Sequence, residues 1–93
     1  MSINDIKTKI YPTLLSYGVK KAALFGSTVK GGITKKSDID LLISLPKKAS
    51  LLDLVGLKID LEKILGKKVD VLTYDSLHPL LRKRILDEQV RIL

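Results

Sequence analysis

Residues 25–42 read "FGSTVKGGITKKSDIDLL". A Gly-Ser pair, Gly26-Ser27, is followed by ten mostly small or basic residues and then by Asp38-Ile39-Asp40. The apolar run Leu41-Leu42-Ile43 that follows predicts a strand over Asp38–Leu45, ended by Pro46. Side chains alternate along a strand, so Asp38 and Asp40 share one face, about 6.5 Å apart at Cα. Ile39, Leu41 and Ile43 take the opposite face, toward a core. Two carboxylates that close repel, and the arrangement costs stability unless a cation or base lies nearby.

A second strand repeats the pattern. In Lys68–Thr73, Val69 and Val71 share one face while Asp70 and Leu72 share the other. Between the two, Ser50–Leu65 has helical periodicity through Leu51, Leu54, Leu57, Leu61 and Ile64, with Gly66 as its stop. Ser50 and Asp53 have capping-box spacing, with Asp in place of Glu. A strand-helix-strand connection of this length predicts a parallel pair, which brings Asp38, Asp40 and Asp70 to one end of the sheet. An earlier strand, Lys20–Phe25, brings Gly26-Ser27 to that end if it runs antiparallel to the strand of Asp38 and Asp40.

The rest of the chain fits one small domain over residues 1–93. Ser2–Ser16 is a predicted helix with Ile3, Ile6, Ile10 and Leu14 on one stripe, a kink or fresh start at Pro12, and Gly18 at its end. Ser76–Glu88 is a last helix with Pro79 in its first turn, and Val90–Leu93 a short edge strand. The fold class is therefore α/β (α+β), a small mixed sheet with helices packed on one face.

Apolar residues make up 45% of the chain, so a packed core is expected, and with few aromatics it rests on Leu, Ile and Val. There is no cysteine, which excludes disulfides and thiolate chemistry and fits a reducing, cytoplasmic setting. No stretch approaches the ~18 apolar residues of a membrane span. The net charge of +7 is spread over lysine pairs, consistent with polyanion binding or with a solvated surface. Nucleic acid is the weaker partner, because stacking aromatics and a compact basic segment are lacking.

Three convergent carboxylates suit a hard cation such as Mg²⁺, which keeps waters and bridges to phosphates. Gly26 lets backbone approach a phosphate closely, Ser27 offers a hydroxyl and an amide, and Lys30, Lys35 and Lys36 can balance phosphate charge. Two metals clamping an in-line displacement is the matching mechanism. The plainer alternatives are that Asp38 caps a turn after Ser37 and that Asp70 pairs with Lys67 or Lys68.

Gly26-Ser27, ten residues, then Asp38-Ile39-Asp40 resembles the GS-x10-DxD signature of the polymerase-beta-like nucleotidyltransferase superfamily. The short chain, its first helix, Lys68-Val69-Asp70-Val71-Leu72 and the closing Arg82–Leu93 stretch resemble the minimal nucleotidyltransferase (MNT) family. That resemblance implies two divalent ions, Mg²⁺ or Mn²⁺, on Asp38 and Asp40, with Asp70 completing the site and helping to activate an attacking hydroxyl. It implies that Gly26 and Ser27 hold the phosphates of ATP or another NTP, and that a nucleoside monophosphate is transferred with release of pyrophosphate. It further implies an antitoxin acting on a tyrosine of a HEPN-domain toxin encoded nearby, by AMP transfer or, alternatively, by complex formation alone. The family often has Arg where this chain has Lys30, which keeps the charge and loses the bidentate fork. So small a chain is expected to need a partner or a second copy to complete the acceptor site.

Several other residues have bland expectations. His78 reads as an ordinary surface residue, and Tyr74 as a rim tyrosine or a base-stacking platform. Arg82-Lys83-Arg84 reads as a solvated helix face or a partner contact. Asp53, Asp60, Glu62, Asp87 and Glu88 read as helix surface, with Glu62 paired to Lys58 one turn earlier.

Overall fold

The computed structural model describes residues 2–30 and 38–93, the side chains of Ser27 and Lys30 excepted. Two capping boxes start its longest helices. In α1 (Ile3–Ser16) the Ser2 hydroxyl accepts the Asp5 N–H at 3.1 Å and the Asp5 carboxylate accepts the Ser2 N–H at 2.9 Å. Ser50 and Asp53 repeat this at the start of α3 (Leu51–Leu65). Each box satisfies two amides that a helix start otherwise leaves open. The first helix runs through Pro12 without a fresh start.

Four strands form one sheet in the order β3-β2-β1-β4: β1 (Lys21–Leu24), β2 (Ile39–Ser44), β3 (Val69–Thr73) and β4 (Val90–Arg91). Strand β1 runs antiparallel to both β2 and β4. The pair β2 and β3 is parallel, as the α3 crossover predicts. Both strands begin one residue later than expected, so Asp38 lies just ahead of β2.

The alternation of β2 builds the core. Ile39, Leu41 and Ile43 are fully buried with Ala22, Leu24 and Val69 beneath Ile6, Ile10 and Leu14 of α1 and Leu57 and Leu61 of α3. The stripe expected on α3 is corrected at both ends. Leu51 is 74% exposed and Ile64 39%, while Leu65 is buried. Leu54 packs against the core only in part, and the i, i+4 row Leu57-Leu61-Leu65 is the one that faces inward. On the opposite face Ala23, Phe25, Leu42, Tyr74 and Leu77 form a smaller cluster flanked by Ile85 and Leu86.

The last helix, α4 (Pro79–Glu88), also starts later than expected, after a 3-10 turn over Tyr74–Ser76. Pro79 biases its predecessor toward extended backbone, and His78 adopts φ −62°, ψ 134°. His78 is exposed, and its Nδ1 accepts the Leu80 N–H at 3.1 Å to cap α4. No helix among the described residues is long and apolar enough to cross a membrane.

Candidate active site

The parallel register aligns the two acidic strands residue for residue. Ile39 lies opposite Val69, and Asp40 opposite Asp70. Both carboxylates leave the sheet on the face away from the main core and are half-buried, while Asp38 is exposed. Directly opposed like charges on neighbouring strands are destabilising. Sequence alternation placed all three at this end, and the register adds that Asp40 and Asp70 face each other.

The Gly26-Ser27 turn meets the same end, because β1 runs antiparallel to β2. The Phe25 N–H donates to the Asp40 carbonyl at 3.1 Å. Gly26 adopts φ +65°, and a Cβ on it would lie 2.7 Å from Asp40 Oδ2. Both the backbone angle and the close approach therefore require glycine here. One helical turn, α2 (Ser27–Lys30), follows, closed by the Val29 N–H on the Gly26 carbonyl at 3.1 Å.

Of the expected nucleotide-binding residues, Gly26 is thus placed against Asp40. Ser27 and Lys30 are placed by their backbone in α2, and Lys36 and Lys35 lie outside the described residues. Among the described residues, no three His, Cys, Asp or Glu side chains close into a metal-holding group. The donor chemistry at this edge is all hard oxygen, the kind that suits Mg²⁺ or Mn²⁺. The absent Gly26 Cβ is what lets this turn lie against the Asp40 carboxylate.

Two residues at this edge escaped the sequence reading. Thr28 is 1% exposed, and its Oγ1 accepts the Asp40 N–H at 2.9 Å and reaches the Asp38 carbonyl at a long 3.5 Å. A threonine in a run of small and basic residues carries no signal of burial. Glu62, expected on the helix surface beside Lys58, turns its Oε2 to the Val69 N–H at 3.0 Å, one residue before Asp70. Its position near the end of α3, a few residues before the strand, was the only available hint.

Other candidates are placed elsewhere. Tyr74 is packed in the smaller cluster, donates from its hydroxyl to Gln89 Oε1 at 2.8 Å, and has Lys21 Nζ 5.0 Å from its ring centre. Burial pushes its phenol pKa up. Arg82 donates to the Tyr74 carbonyl at 3.2 Å, and Arg84 pairs with Glu88 at 3.6 Å along α4. At the far end of the sheet Tyr17 donates to Asp60 Oδ2 at 2.6 Å, so Asp60 is also more than helix surface.

Comparison with known proteins agrees with this fold. A family model described as a nucleotidyltransferase domain matches residues 7–92. The chain is 56% identical over 93 residues, all of both chains, to a protein of Methanocaldococcus jannaschii named as a candidate protein adenylyltransferase. It is 36% identical over 76 residues, 82% of this chain and 77% of the other, to the protein adenylyltransferase MntA of Thermococcus cleftensis. A solved structure described as a candidate minimal nucleotidyltransferase superposes with TM-score 0.82 at 30% identity, covering 97% of this chain and 95% of that one. The MNT antitoxin complex with a tri-AMPylated HEPN toxin of Shewanella oneidensis shares the fold, with TM-score 0.75 at 18% identity over 97% of this chain and 71% of that chain.

Proposed function

The chain belongs to the nucleotidyltransferase domain family, and from that premise we propose that it transfers AMP from ATP to a hydroxyl of a partner protein. The acceptor is a tyrosine of a HEPN-domain toxin encoded nearby, which makes this chain the antitoxin of the pair. The names of its relatives and the AMPylated toxin in a neighbouring structure support that reading. The observation that carries the chemistry is the in-register pair Asp40 and Asp70, with the Gly26 turn pressed against the Asp40 carboxylate.

In this reading the toxin hydroxyl oxygen forms a bond to the α-phosphorus of ATP. The bond from that phosphorus to the bridging oxygen breaks, and pyrophosphate leaves. Asp70 orients the hydroxyl and draws off its proton. The Gly26-Ser27 backbone seats the phosphates, whose charge Lys30 and Lys36 balance. Two Mg²⁺ ions, or Mn²⁺ in their place, held by Asp38, Asp40 and Asp70, would supply neutralisation of the charge on the attacking and leaving oxygens. That charge also offers relief for the mutual repulsion of Asp40 and Asp70.

The test mixes this protein with its gene neighbour's product, ATP and Mg²⁺, and measures the neighbour's intact mass. An adenylyl-sized gain that is lost in Asp38→Asn and Asp40→Asn is expected. Complex formation without any gain, with full neutralisation of the toxin by the double variant, would instead establish inhibition by contact alone.

A further inference from the structure

The main chain of Asp40 is tied to the Phe25–Thr28 segment at both of its polar groups. Its carbonyl accepts the Phe25 N–H at 3.1 Å, and its N–H donates to Thr28 Oγ1 at 2.9 Å. The same hydroxyl reaches the Asp38 carbonyl at 3.5 Å, so one side chain spans both aspartates across Ile39. Thr28 is the one buried polar side chain among the described residues. Burying a hydroxyl is unfavourable unless its bonds are made, and a valine of the same shape would carry no such cost. The hydroxyl therefore contributes through what it holds.

A second clip approaches from the other strand. The Ile39 N–H donates to the Lys68 carbonyl at 2.9 Å, and the next amide, Val69 N–H, is held by Glu62 Oε2 at 3.0 Å. Val69 precedes Asp70 directly, and Val69 lies opposite Ile39, which precedes Asp40. Glu62 thereby anchors the start of β3 to α3 at the residue that sets where Asp70 emerges.

We propose that Thr28 and Glu62 are positioning residues: they hold the Asp38-Ile39-Asp40 backbone and the start of β3, and so set where Asp38, Asp40 and Asp70 stand relative to one another and how tightly this edge takes up divalent cations. The proposal rests on the reading of this edge as a nucleotidyl-transfer site. Thr28 acts through the backbone of Asp38 and Asp40, and Glu62 through that of Val69. Neither needs to touch nucleotide or ion.

The test uses the full chain and Mn²⁺ alone, with free Mn²⁺ followed by electron paramagnetic resonance and amide hydrogen exchange read at Asp40 and Val69. Thr28→Val is expected to weaken Mn²⁺ binding by roughly 10-fold or more, the scale seen when a group orienting a metal ligand is removed. Exchange at the Asp40 amide should quicken with it. Thr28→Ser, which keeps the hydroxyl, should restore both. Glu62→Ala should weaken binding and expose the Val69 amide, whereas Glu62→Gln, which keeps an acceptor oxygen, should not. Tyr17→Phe removes a hydrogen bond at the far end of the sheet and should leave Mn²⁺ affinity unchanged.

Wild-type Mn²⁺ affinity retained by Thr28→Val and Glu62→Ala, with only a lower melting temperature, would overturn the proposal and leave the site reading standing. Should Thr28→Val not fold, Glu62→Ala carries the same comparison from the opposite strand. A wild-type chain that takes up no Mn²⁺ would overturn the site reading and the proposal together.

Discussion

The two faces of β2 and β3 differ more than any two elements of the molecule. On one face Ile39, Leu41, Ile43 and Val69 are 0% exposed beneath α1 and α3. On the other, Asp40 and Asp70 stand opposite each other, half-buried, beside a small apolar cluster. Consecutive residues of one strand thus serve opposite ends. The apolar set supplies the burial that stabilises the fold, and the acidic set draws on that stability, because opposed carboxylates oppose folding. The lesson is that stability and chemistry are separable here at a spacing of one residue.

The largest test of that separation pairs Leu41→Ala with Asp40→Asn. Leu41→Ala should cost about 2–5 kcal/mol by transfer and cavity terms, lowering the melting temperature by roughly 10 °C or more in a domain this small. Asp40→Asn keeps the side-chain shape and leaves the apolar face intact, so it should shift the melting temperature far less than Leu41→Ala. It should also cut adenylyl transfer by on the order of 100-fold or more, the scale of losing one preorganised electrostatic contact. An Asp40→Asn chain as unstable as Leu41→Ala would break the comparison.

A smaller effect sharpens it. Gly26 and Gly66 share φ +65°, but a Cβ on Gly66 meets nothing within 4 Å, whereas one on Gly26 meets Asp40 Oδ2 at 2.7 Å. Gly66→Ala should therefore show only the backbone cost, about 1 kcal/mol, in thermal unfolding. Gly26→Ala should add a displaced carboxylate and a loss of activity beyond what its melting temperature explains. Equal activity in the two variants would remove Gly26 from the site.

The smallest effect lies at the opposite end of the sheet. The hydrogen bond to Asp60 raises the Tyr17 pKa above its usual value of 10.0, followed in weight by desolvation. A raised folded pKa means this bond's stabilisation is fully present below the unfolded value of about 10 and is lost as pH rises through the folded one. The Tyr17 ring signals, followed by NMR, should titrate above the ordinary tyrosine range and return to it in Asp60→Ala. Adenylyl transfer at neutral pH should not respond.

Much of this was legible in the chain. The capping boxes at Ser2-Asp5 and Ser50-Asp53, the stop at Gly66, the parallel pairing across α3 and the shared face of Asp40 and Asp70 all follow from short-range pattern. The misread residues have a common cause. Glu62 and Asp60 looked like solvated helix surface and Thr28 carried no signal of its own, yet each bonds a group brought to it by folding: Val69 N–H, Tyr17 Oη and Asp40 N–H. Leu51 failed in the converse way, apolar and in phase, yet beyond the reach of the sheet.

Periodicity and caps depend on dihedral preferences and on hydrogen bonds closed within about one helical turn, so element type and strand face were set by the order of residues alone. Which residue opposes Asp40, how closely Gly26 approaches its carboxylate, and which side chains clip the two strands depend on packing between segments far apart in the chain. Those distances arise only when α1 and α3 close over the sheet, because burial of the apolar face is what holds the strands in one register and so brings the carboxylates to their edge.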